Sequence, residues 1–135
     1  MNQVNQAEQW KAQGRTVEVA GRSIFVVESN NQDSDLPYLV ILHGYPTCSF
    51  DYHKVLPMLA QHFRVVVHDH LGFGFSDKPK DYCYTLVGQC DVALQLWHQL
   101  GIRQAHVLAH DYGTSVATEL VARDNHGLLQ NFTIE

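Results

Sequence analysis

Cysteine is scarce in this chain, with Cys48, Cys83 and Cys90 the only three in 135 residues. The number is odd and no CxxC spacing occurs, which argues against a disulfide framework or a zinc knuckle and for reduced thiols in a cytoplasm. Long apolar runs are also missing. The longest, such as Tyr38 to Leu42, are far too short to cross a bilayer. Basic residues are outnumbered by acidic ones, 9 to 14, for a net charge of −5. With no Lys/Arg cluster, nucleic acid is not an expected partner. The segment from Met1 to Gly14 is polar and Gln-rich and has no apolar h-region, so no secretory signal is expected. The composition that remains, 45% hydrophobic and 17% charged, is that of an ordinary globular domain.

The apolar residues are arranged in two periods. A short helix around Gln6–Ala12 is expected in an N-terminal extension covering residues 1–15. The remainder, 16–135, reads as one domain. Thr16–Val19 and Ile24–Val27 flank an Ala20-Gly21-Arg22 turn and predict a hairpin. After a polar loop at 30–35, short apolar strands alternate with helical patterns. Strands are expected at Tyr38–Leu42, Arg64–Asp69 and Ala105–Ala109, with a nascent strand at Asn131–Glu135. Helices are expected at Ser49–Gln61, Thr85–Leu100 and Tyr112–Arg123. Such alternation implies an α/β fold whose sheet is mostly parallel with flanking helices. A sheet that stops on a nascent strand would leave an edge exposed, so self-association through that edge is expected of the isolated chain.

Chemistry concentrates at Ala109-His110-Asp111-Tyr112-Gly113. A nucleophile elbow sets one reactive side chain on a tight strand-to-helix turn, with small residues two before and two after it. Ala109 and Gly113 satisfy that requirement around Asp111. The competing reading of Asp111 is a helix N-cap, a common role for aspartate at a helix start. Ser115 also lies in a small-residue setting, but a turn into the helix, where an elbow residue cannot sit. Upstream, His43-Gly44-Tyr45-Pro46 follows the first buried strand. Gly44 there permits close backbone approach, and the Tyr45 N–H is the natural partner of the Tyr112 N–H in an oxyanion hole. His43 is read as a prop for that loop, and His110 as structural.

Two further patterns are set aside. His68-Asp69-His70 places two imidazoles on one strand face without a third ligand at a convincing spacing. Gly72-Phe73-Gly74 lacks the third glycine and the following helix of a phosphate-binding loop. Neither a metal nor another cofactor is expected. Trp97, on an apolar helix face, is expected in the core.

Taken in order and at these spacings, the His43 loop, Asp69-His70-Leu71-Gly72-Phe73-Gly74-Phe75-Ser76-Asp77-Lys78-Pro79 and the Asp111 elbow resemble the N-terminal half of α/β-hydrolases of the haloalkane dehalogenase and epoxide hydrolase branch. Gly-Phe-Gly-Phe-Ser-Asp-Lys-Pro with His-Asp-Tyr-Gly is especially similar to the mesoderm-specific-transcript-like (MEST-like) hydrolases. The resemblance implies that Asp111 forms a covalent alkyl ester with a small apolar electrophile, which water then hydrolyses. It also implies a cap domain, an acid and a water-activating histidine, all beyond the nucleophile in chain order. Only 24 residues follow Asp111, and His126 comes too early for that histidine. The chain therefore reads as one truncated before the cap and last strands, inactive by itself. Haloalkane dehalogenases usually carry tryptophan after the nucleophile and often asparagine after His-Gly, where this chain has Tyr112 and Tyr45. That departure weakens the dehalogenase reading. A fold retained as a non-catalytic interaction scaffold is the alternative.

Overall fold

A computed structural model describes residues 3–135; Met1 and Asn2 of the expected extension lie outside the described residues. The chain begins with α1 (Gln3–Gln13), which runs directly into the hairpin β1 (Gly14–Val19) and β2 (Arg22–Glu28). The hairpin closes on Ala20 and Gly21, with φ of 49° and 78°. Positive φ at both central residues is the condition for the type I′ turn that matches strand twist. There follow β3 (Tyr38–Leu42), a 3₁₀ turn (Ser49–Tyr52), α2 (Leu56–Leu59) and β4 (Arg64–His68). The chain then forms α3 (Leu86–Gln99), β5 (Gln104–Ala109), α4 (Tyr112–Asn125) and the short β6 (Thr133–Ile134).

The described strands form one sheet in the order β1-β2-β4-β3-β5-β6. The β1/β2 and β2/β4 pairs are antiparallel, whereas β4, β3, β5 and β6 run parallel. Side-chain alternation divides the interior into two layers. Phe25, Val27, Leu39, Ile41, Val65 and Val67 face one side, where Trp10 of α1 covers them. Ile24, Val26, Val40, Leu42 and Val66 face the other, under Leu96 and Trp97 of α3 and Val116 and Leu120 of α4. The polar α1 is anchored by Trp10, whose indole N–H donates to Ser49 Oγ at 3.0 Å, and by Lys11 over the Phe75 ring.

One expected element is different. Ser49–Gln61 is not a continuous helix but the 3₁₀ turn and the single turn α2. Pro57 lies in the first turn of α2; a proline ring clashes with the carbonyl four residues earlier, so the helix can begin there but cannot pass through. By contrast α3 has the expected ends. Thr85 caps it, its hydroxyl accepting from the Gly88 N–H at 2.9 Å, and Gly101 ends it at φ 76°.

Three histidines lie in this interior. His43, His68 and His70 are all at most 1% exposed, and among the described residues no hydrogen-bond partner reaches either ring nitrogen of His68 or Nδ1 of His70. Burial disfavours the imidazolium and lowers all three pKa values: His43 below its usual range, His68 well below, and His70 to about 3. In the unfolded chain the same groups titrate near 6.5. Below that pH the unfolded state binds more protons. Stability is therefore complete above about pH 6.5 and declines as pH falls toward 3, where His70 takes up its proton in the fold as well. The expected slope is about 1.4 kcal/mol per pH unit for each histidine that stays neutral. Urea midpoints should fall between about pH 6.5 and 5, and His68→Phe should flatten the fall. Midpoints indifferent to pH over that range would contradict this account.

Candidate active site

The sheet order reverses at β3. From there the chain goes to β4 on one side and β5 pairs on the other, which opens a crevice at the carboxyl ends of β3 and β5. The register aligns Leu42 with Ala109, and the His110 N–H donates to the Leu42 carbonyl at 3.2 Å. The segments His43-Gly44-Tyr45 and His110-Asp111-Tyr112 therefore leave the sheet side by side.

That closeness is possible only with small residues. A Cβ on Gly113 would lie 2.1 Å from the Leu42 carbonyl oxygen, and one on Gly44 would lie 2.9 Å from the Asp111 Cβ. Ala109, half-buried, packs against the α4 side of the core. Asp111 sits between β5 and α4 with φ 53° and ψ −116°, a conformation that L-residues avoid at a cost of about 1–3 kcal/mol. Its side chain makes no capping bond to α4. The α4 N–H groups of Gly113 and Thr114 are satisfied by the backbone carbonyls of His110 and Asp111, at 2.8 and 2.9 Å. Asp111 thus occupies the N-cap position of α4 without its carboxylate satisfying either of those N–H groups.

Its partner is the other loop. The Tyr45 N–H donates to Asp111 Oδ2 at 2.8 Å. The backbone N–H groups of Tyr45 and Tyr112 hold the Asp111 carboxyl below the usual carboxylate range, and nearby His110 adds a smaller effect in the same direction. Asp111 is solvent-exposed. One carboxylate oxygen, Oδ2, is thus held by the neighbouring loop.

Beside it opens a cleft of about 410 Å³ lined by Tyr45, Gly72, Phe73, Tyr84 and Tyr112. No lining side chain is charged. The Tyr84 hydroxyl donates to the Pro79 carbonyl at 2.7 Å, and the Tyr112 phenol lies beside the Gln89 side chain. Tyr45 is 67% exposed, and a cis peptide joins it to the exposed Pro46. His110 is exposed with its ring edge over Gly44. His126 forms the C-cap of α4, about 20 Å from Asp111 for a helix of that length, so the structure does not bring it to the site. Ser115 is exposed on α4, away from the elbow turn.

Several supporting residues escape sequence reasoning. Asp69 is fully buried, and its carboxylate accepts from the Ser49 N–H at 2.7 Å and the Phe75 N–H at 2.8 Å. Ser76 donates its hydroxyl to the Asp69 carbonyl at 2.6 Å and accepts from the Phe25 N–H at 2.9 Å. Gln89, on an otherwise apolar face of α3, accepts from the Leu71 N–H at 3.2 Å and donates to the Leu71 carbonyl at 2.8 Å. A polar residue at an apolar helix position was the one available signal, and only for Gln89. Gly113→Ala should destabilise by about 3 kcal/mol or more, because its methyl meets backbone and not a movable side chain. Ser115→Ala should stay within about 0.5 kcal/mol of the parent. Chemical denaturation of the two variants checks both values.

Comparison with known proteins agrees with this architecture. A family profile for the α/β-hydrolase fold matches residues 37–130. The mesoderm-specific transcript homolog protein of Bos taurus is 37% identical over 129 residues, covering 93% of this chain and 38% of the relative. A soluble epoxide hydrolase of Corynebacterium sp. is 36% identical over 96 residues, covering 71% of this chain and 33% of the relative. Among solved structures, the haloalkane dehalogenase DbeA from Bradyrhizobium elkani superposes with a TM-score of 0.75 at 34% identity, over 82% of this chain and 37% of that one. The chain thus spans little more than a third of the length of the relatives it matches. The resemblance to MEST-like proteins, epoxide hydrolases and haloalkane dehalogenases holds, and the chain belongs to the α/β-hydrolase-fold family.

Proposed function

We propose that this chain provides the nucleophile and oxyanion hole of a hydrolase that opens small apolar electrophiles through a covalent aspartyl ester. The observation that carries this reading is the Tyr45 N–H bond to Asp111 Oδ2 at 2.8 Å. A carboxylate with one oxygen held in that way presents the other, Oδ1, as nucleophile. It needs no base, since it is already ionised at neutral pH.

In the first step Oδ1 attacks an sp³ carbon and the bond to the leaving atom breaks. The product is an ester whose carbonyl oxygen is Oδ2. In the second step water attacks the Asp111 carboxyl carbon, and negative charge develops on Oδ2, which already accepts from the Tyr45 N–H; the Tyr112 N–H, next to the carboxyl, is the second donor of the proposed hole. Removing one such donor typically costs on the order of 3 kcal/mol of barrier. The three buried histidines beneath the site are unsuited to activate that water. His43 and His70 are committed to backbone partners, and His68 is sealed in the core. As the resemblance to the haloalkane dehalogenase and epoxide hydrolase branch implies, the second step would take its histidine and acid from outside these 135 residues.

An uncharged aromatic cleft suits an apolar substrate. A halide leaving group needs polarised N–H donors, which the side chains of Tyr45, Gly72, Phe73, Tyr84 and Tyr112 do not supply. The cleft thus favours an epoxide over a haloalkane. Single turnover of the full-length protein in ¹⁸O-water, with styrene oxide and 1-bromobutane as probes, tests the mechanism. Label should enter the Asp111 carboxylate, and the first-turnover product should carry unlabelled oxygen. Asp111→Asn should lower turnover by about a thousandfold or more. Label found only in product would mean direct attack by water.

A further inference from the structure

The two oxyanion donors come from segments that have no covalent reason to stay in register, and one side chain touches both. The His70 backbone N–H donates to His43 Nε2 at 3.0 Å. A nitrogen that accepts is unprotonated, so the neutral His43 ring carries its proton on Nδ1. That Nδ1 lies 2.8 Å from the Gly44 carbonyl and donates to it. The Gly44 carbonyl belongs to the same rigid peptide plane as the Tyr45 N–H. Holding the oxygen on one side therefore aims the N–H on the other at Asp111. His70 closes the circuit from below, its Nε2 standing 2.9 Å from the His43 carbonyl, which requires an N–H at Nε2. The His70 ring also packs edge-on against Tyr112 at 5.3 Å and tilted over His43 at 4.1 Å. Next to it, Leu71 is clamped through both its N–H and its carbonyl by Gln89, whose side chain also reaches the Tyr112 phenol.

We propose that the His70 side chain is a positioning element for the oxyanion hole: its Nε2 fixes the His43 carbonyl, and with it the loop that carries the Tyr45 donor, while its ring braces the Tyr112 segment. The proposal rests on the reading of Asp111 as nucleophile only for its kinetic consequence; its geometric content stands without it. His70 touches no reacting atom. It acts through peptide orientation, so its loss should be felt in the transition state and not in substrate binding.

The experiment compares His70→Phe, which keeps the ring and removes the donor, with His70→Gln, which restores an N–H near the place of Nε2. In the full-length protein the Tyr45 backbone amide proton, hydrogen-bonded to a carboxylate, should resonate downfield. It should move upfield in His70→Phe and return in His70→Gln. With styrene oxide as probe, kcat should fall about a hundredfold in His70→Phe while KM changes less than about twofold, and His70→Gln should recover most of the loss. An unchanged Tyr45 amide in a folded His70→Phe protein would overturn the proposal, as would a fall in kcat that His70→Gln does not repair. If His70→Phe does not fold, the imidazole tautomers of the parent protein decide the matter by nitrogen-15 NMR. Protons on Nε2 of His70 and Nδ1 of His43 support the clamp, and a proton on Nδ1 of His70 refutes it. A parent protein that does not consume the probe argues against the Asp111 mechanism, while the amide and tautomer results still decide the role of His70.

Discussion

The 2.8 Å hydrogen bond from the Tyr45 N–H to Asp111 Oδ2 is the constraint around which the rest of this structure is arranged. It joins residues 66 positions apart, and it requires two parallel strands to end at the same level. The Leu42–Ala109 register provides that level, and the parallel core of β4, β3 and β5 holds it. Gly44 and Gly113 then let the two exits approach closely enough for a backbone donor to reach a carboxylate. Without either glycine the loops would have to part, and the donor would point into water.

The arrangement is costly locally and secured globally. Asp111 carries about 1–3 kcal/mol of backbone strain, retained because β5 and α4 are each fixed by burial on both sides of the turn. The supporting layer beneath is unusually polar for a core. Asp69 is satisfied by N–H donors, whereas neither ring nitrogen of His68 has a hydrogen-bond partner among the described residues. Keeping three imidazoles neutral in that layer ties the integrity of the site to pH. Acid should weaken the scaffold before it protonates an Asp111 carboxyl already held below the usual carboxylate range.

Much of this was legible in the sequence, for physical reasons that can be named. The period-2 and period-3.6 patterns identified the strands and the two long helices because burial on opposite faces of a sheet demands them. The Ala109 and Gly113 spacing around Asp111 marked the tight strand-to-helix turn because backbone crowding there forces small residues. Where local information ran out, the reading did as well. Pro57 sits inside an apolar helical pattern and breaks it, since its missing N–H outweighs periodicity. Whether Asp111 caps a helix or stands free depends on φ, which no spacing encodes. His70, Gln89 and Asp69 find partners 18 to 27 residues away, so their roles exist only once the loops are folded together. The tyrosines at 45 and 112 could be placed at the site from sequence, but that the Tyr112 phenol is turned toward Gln89 could not.

The grip on one carboxylate oxygen and the exposure of Asp111 lead to the central claim proposed above, that Asp111 itself forms the bond to substrate. The most direct measurement is rapid acid quench of the full-length protein during turnover of styrene oxide, followed by mass spectrometry of the peptide containing Asp111. The account predicts that this peptide gains the full mass of the epoxide, localised to the Asp111 side chain, and that the adduct is released by mild base. An adduct on another residue, or turnover with no adduct at any quench time, would contradict it.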